Sequence, residues 1–176
     1  MKRSDEPAKR AITAINLEPQ VPAIREHGGE ILKFMGDGLL AVFPIAKDGG
    51  NLAEVCGGAL EASRKASANV NAMHYPSGDE VERFRFGVAL HIGDILFGNI
   101  GGISRLDFTC IGPSVNLAAR LEKIASRLHR TVVASAAFAG ACHQDWVDLG
   151  EFSVAGFSNA HRVFGLRDEV IDPAAG

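Results

Sequence analysis

The chain has 176 residues, of which 47% are apolar and 22% charged, enough to bury one hydrophobic core and too few for more than one ordinary domain. Eighteen basic against 21 acidic residues leave a formal charge of −3, so no global positive field exists to hold nucleic acid, and an anionic ligand would need a local site. The longest near-apolar stretch, Leu39 to Ala46, is about half of what a bilayer span requires, and MKRSDEPAKR leads into no signal-type apolar segment, so a cytoplasmic setting without a membrane span is expected.

In chain order, Ala8, Ala11, Ile12 and Ile15 recur at helical spacing, while Pro19 and Pro22 interrupt the succeeding turns, which predicts a broken or kinked helix over 8–26. Gly28-Gly29 ends it. Glu30–Met35 and Leu39–Phe43 are short strand-like runs around Gly36-Asp37-Gly38, a hairpin whose tip carries one carboxylate. Leu52 to Met73 gives a long amphipathic helix, and His74 to Glu82 a surface loop. Clean alternation over Arg83–Ile92 marks a strand, with Asp94–Asn99 as its expected partner. Arg105–Ile111 is a further strand, running through Gly112-Pro113-Ser114 into a helix from Ser114, the expected cap, to Leu128. Thr131–Ser135, a short helix near Ala136–Cys142, and the strands Trp146–Phe152 and Arg162–Leu166 complete the chain. The pattern predicts one α+β domain over 1–176, helices packed on a largely antiparallel sheet.

Cys56, Cys110 and Cys142 are odd in number and outside any metal spacing, so small buried thiols are expected. Glycine is in excess, 20 residues against about 12 at the usual share. Its distribution as punctuation between apolar runs suggests tight turns that carry a site.

Asp37 has two readings. Asp-Gly is a favoured turn pair, but a carboxylate at a hairpin tip also suits a hard divalent cation, and Lys33, four residues earlier, can donate to a ring nitrogen or a phosphate. Asn116 and Arg120 share a face of the helix that follows Gly112. They are either a plain solvated face or, at a helix N-terminus, an amide and a guanidinium fork suited to phosphate. Thr109 alone is a good strand residue, and His91 reads as structural rather than as a base.

Taken together, HGGEILKFMGDGLLAVFP at 27–44 and FGVALHIGDILFGNIGGISRLDFTCIGPSVNLAARLE at 86–122 resemble the class III nucleotidyl cyclase catalytic domain, the adenylate/guanylate cyclase family. GEFSVAGFSNAHRVFGL fits the end of such domains, so the resemblance spans about 20–166. It implies a ferredoxin-like nucleotidyl cyclase sandwich of the βαββαβ type, converting ATP to 3′,5′-cyclic AMP and pyrophosphate in intracellular signalling. Asp37 resembles the second of two aspartates that hold two Mg²⁺ or Mn²⁺ ions. Lys33 and Thr109 resemble the pair that selects the purine, here favouring ATP. Asn116 resembles the residue that orients the ribose, and Arg120 the arginine that stabilises charge on the α-phosphate. The resemblance also implies a homodimer, with metals from one protomer and Lys33, Thr109, Asn116 and Arg120 from the other.

One part of the family pattern is missing. Its first metal-binding aspartate lies on an opening strand in a pattern like F-x-D-x-x-G-F, and the 36 residues before Asp37 contain no such motif. Asp5, among charges and a proline, does not replace it. The expectation is a domain truncated at its front, lacking one metal ligand and its opening strand, within a longer chain that supplies both and a sensory module. The alternative is a catalytically impaired cyclase-like module that binds nucleotide or dimerises.

Overall fold

A computed structural model describes residues 8–16, 20–35, 38–71, 76–77, 80–81, 87–100 and 107–169. The element order is β1 (Ala8–Asn16), α1 (Val21–Glu26), β2 (Glu30–Met35), β3 (Gly38–Pro44), α2 (Leu52–Asn71), β4 (Pro76–Ser77), β5 (Glu80–Val81), β6 (Val88–Ile100), β7 (Asp107–Ile111), α3 (Pro113–Arg127), β8 (Val132–Ser135), α4 (Ala136–Ala141), β9 (Trp146–Phe152) and β10 (His161–Leu166). The main sheet runs β2-β3-β1-β6-β8-β10-β9, with β7 paired to β6. Among the described residues, only β6 and β8 pair in parallel; every other ladder is antiparallel. The α+β class read from the sequence is the class observed.

Strand β3 shows how the sheet holds two layers. Leu39, Ala41 and Phe43 enter one core with Ile24, Leu60 and Phe138, from α1, α2 and α4. Leu40 and Val42 enter another with Ile95, Val115 and Ala118, beneath α3. The uninterrupted apolar run is therefore a strand covered on both faces, its alternation divided between two apolar destinations. β8 does the same, with Val132 and Ala134 on the α2 side and Val133 beneath α3.

Three sequence expectations are corrected. Residues 8–16 form a strand, not a helix, and it lies at the centre of the sheet: Ile12 stands opposite Val42 on one side and His91 on the other. The domain therefore does not lack an opening strand. The apolar spacing that suggests a helix is also compatible with a strand, and two flanking ladders satisfy backbone groups on β3 and β6 that a helix there would leave unpaired. Next, Asp94–Asn99 continues β6 instead of folding back on it; Leu96 to Ile100 pair with β7. Finally, α3 starts at Pro113 with Gly112 as its N-cap, and Ser114 makes no cap bond. Pro at the first position is pre-set for helix, and Gly112, at φ 144°, adopts the backbone that entry requires. Two-residue strands β4 and β5 lie within the expected 74–82 loop, and the remainder of that loop lies outside the described residues. Among the described residues, no helix is long and apolar enough to cross a membrane.

Candidate nucleotide site

Lys33 lies on β2, where the register shifts: Ile31 pairs with Ala41, but Lys33 pairs with Leu40, leaving Leu32 as an extra residue. Leu40 belongs to the core beneath α3, and Leu32 packs against that same core. The bulge thus puts two successive residues on the α3 side of the sheet, whereas a regular strand would send them to opposite faces. Nothing in the sequence signals it.

Burial pushes the Cys110 thiol up from its ordinary range, and the Lys33 charge opposes that shift. The ammonium therefore lies within electrostatic reach of β7. Thr109, adjacent to Cys110 in β7, pairs with Gly98 in the ladder; its side chain lies outside the described residues. Sequence separation between Lys33 and Thr109 is large, and the fold brings their strands together.

Helix α3 continues directly from β7. Val115, Leu117, Ala118, Leu121, Ile124 and Ala125 are buried, while Asn116 and Arg120 are exposed on its outer face. Among the described residues, no hydrogen bond or ion pair engages the Arg120 guanidinium. The helix N-terminus adds unpaired N–H groups beside them. The arrangement offers an ammonium by the sheet and an amide and a guanidinium on a helix, a set suited to a purine nucleotide with its phosphates.

Asp37, the expected metal ligand, lies outside the described residues. Among the described residues no group of three or more His, Cys, Asp or Glu could hold a metal ion. β1, AKRAITAIN, carries no carboxylate. Described donors alone therefore do not fit a two-metal centre.

His91 is structural. Its Nδ1 lies 2.9 Å from the Ser135 hydroxyl, which also accepts the Phe138 N–H at the start of α4. Burial, with nearby His161 adding to it, pushes the imidazole down to about 4, so it is neutral at pH 7. The three cysteines are free and buried, as expected, and burial, followed by Cys142, pushes Cys56 up to about 12. No nucleophilic thiolate is offered there.

No protein-family model matches the sequence. The chain is 32% identical over 139 residues to adenylate cyclase 1 of Rhizobium meliloti (strain 1021), covering 78% of this chain and 20% of that protein. In structure it is similar to a bacterial light-regulated adenylyl cyclase, with a TM-score of 0.74 at 21% identity over 93% of this chain and 54% of that one. In sequence and in fold the chain is similar to class III adenylyl and guanylyl cyclase catalytic domains. The chain also shares its fold with the guanylyl cyclase Cya2, at a TM-score of 0.61 and 20% identity over 93% of each chain. The chain spans a fifth or less of the first curated relatives it matches.

Proposed function

We propose that this domain is an adenylate cyclase: the 3′-hydroxyl of ATP attacks its own α-phosphate, a P–O bond forms, the bond to the β-phosphate breaks, and pyrophosphate leaves. The observation that carries this reading is that the strand of Lys33, β2, and the helix of Asn116 and Arg120, α3, both lie against β7, the strand of Thr109. Lys33 and Thr109 would hold the purine, Asn116 the ribose, and Arg120 the charge that develops on the α-phosphate. Likeness to both adenylyl and guanylyl cyclases makes the Lys33/Thr109 pair the basis for choosing ATP over GTP.

A divalent cation, Mg²⁺ or Mn²⁺, is proposed at Asp37, where it would offset phosphate charge. The proposed assembly is a homodimer. Phe34, Leu96 and Ile111 are large apolar residues left 56%, 52% and 47% exposed, and Leu96 and Ile111 stand directly opposite one another across β6 and β7. Such a patch suits a second copy placed against the site. The proposed location is the cytoplasm, where ATP is abundant.

The absence of a carboxylate from β1 favours a second reading, a domain that binds nucleotide and dimerises without turnover. Incubation with ATP or GTP and Mn²⁺, read by mass spectrometry, separates the two. Cyclic AMP from wild type, lost in Asp37→Ala, is the expected result; nucleotide binding without any cyclic product would establish the second reading.

A further inference from the structure

Strand β6 and helix α3 touch at two residues that have no side chain. At Gly87, just ahead of β6, a Cβ would lie 3.0 Å from Ala125 Cβ and 3.2 Å from the Glu122 carbonyl oxygen. At Gly93 a Cβ would fall on Ser114 Oγ, 2.8 Å from Ser114 Cβ and 3.0 Å from His91 Nε2. Six strand residues span about 20 Å, and the eleven steps from Ser114 to Ala125 span about 17 Å of helix. The two contacts therefore lie near opposite ends of one strand–helix face. Neither glycine has a left-handed backbone, so alanine would be acceptable locally, and what each supplies is room.

The seat at Gly93 is walled. His91 faces it from two residues earlier, held by its bond to Ser135, and Ser135 is itself tied to the first turn of α4. The imidazole gives up that bond if it swings away. On the helix side, Ser114 is the second residue of α3, two before Asn116 and six before Arg120. The buried stripe through Val115, Ala118 and Leu121 makes the helix move as a unit, so the depth of Ser114 sets the depth of the two exposed polar residues.

We propose that Gly93, walled by His91, is a positioning residue: it lets the first turn of α3 sit directly on β6 and so fixes where Asn116 and Arg120 meet the nucleotide. This rests on the cyclase reading for its consequence, though not for its geometry.

The test compares Gly93→Ala, Ser114→Gly and the double variant in the full chain, by steady-state kinetics with ATP and Mn²⁺ and by hydrogen exchange of the 114–120 amides. Because a displacement of about 1 Å in a positioning group costs on the order of a hundredfold, Gly93→Ala should lose about that much kcat, with a much smaller change in KM. The double variant, which removes the colliding Cβ and Oγ, should recover most of the loss. Ser114→Val, which enlarges the same contact from the helix side, should give the same signature should Gly93→Ala fold poorly. Phe138→Leu, in the opposite core, should lower the melting temperature and leave kcat in place. Wild-type kcat in a folded Gly93→Ala, or a loss that persists in the double variant, overturns the proposal. Exchange separates the two claims. Faster 114–120 exchange in Gly93→Ala, restored in the double variant, upholds the seat even if wild type makes no cyclic nucleotide, in which case the cyclase reading alone fails; unchanged exchange in that case removes the seat as well.

Discussion

Arg120 is exposed, stands on the outer face of α3 and has no anionic partner among the described residues, which suits a group whose partner is a ligand. If it stabilises charge that grows in the transition state, Arg120→Ala should lose about a hundredfold or more in kcat with KM for ATP little changed; equal weakening of KM with kcat intact would assign it to ground-state binding. Lys33, Thr109, Asn116 and Arg120 are singled out in the sequence by the resemblance of two long blocks to cyclase domains; residue type and spacing alone leave each with an ordinary structural reading. Gly93 is not singled out in this way. It reads as a turn, and only the fold shows a straight strand with a helix pressed against the missing side chain. His91 also links stability to pH. Its folded pKa, pushed down to about 4, lies below the ordinary 6.5 or so, so the unfolded chain takes up a proton first as the pH falls. Its contribution to stability is full above about pH 6.5 and is lost on the way down to about 4, by on the order of 3 kcal/mol at most. Melting curves across that window should flatten in His91→Gln relative to wild type, and identical slopes would contradict the assignment.

At the scale of elements, most boundaries follow from local chemistry. The β2–β3 hairpin, α2, β8, α4, β9 and β10 fall within a few residues of where alternation, helical spacing and glycine place them. Two elements do not, for different reasons. β1 has small and β-branched residues whose spacing serves either period, and its state is decided by the slot between β3 and β6, which is a tertiary matter. β6 reads as two pieces divided at Gly93 because an isolated glycine suggests a break; in the fold it is a notch. Gly29 is a second notch, between α1 and β2: a Cβ there would lie 2.6 Å from Ile24 Cγ2 and 2.8 Å from the Phe43 ring. Both neighbours are fully buried, so any shift must repack the core. Gly29→Ala should therefore cost about 1–3 kcal/mol, the range for overpacking a core, in urea unfolding; a change smaller than about 0.5 kcal/mol, the size of an ordinary surface effect, would show that the α1–β2 corner relaxes.

For the whole molecule, the sheet separates two tasks. The α1, α2 and α4 side contains the larger core, and the α3 side combines smaller cores with the polar residues of the site. Phe34, Leu96 and Ile111 remain outside all three cores, and a second copy would explain their exposure. Ile111→Glu should shift the chain toward monomer in sedimentation velocity and reduce turnover with it; a dimer that survives this change would place the interface elsewhere. The proposed cyclisation of ATP at a site shared by two copies has one direct measurement. Asp37→Ala and Arg120→Ala are mixed under conditions that exchange subunits, and cyclic AMP is quantified by mass spectrometry. Each variant alone should be inactive. In a random mixture half the dimers are mixed and each has one intact site, so about a quarter of wild-type activity should return. No recovery beside an active wild type would contradict the shared site, and no cyclic AMP from wild type itself would contradict the adenylate cyclase assignment.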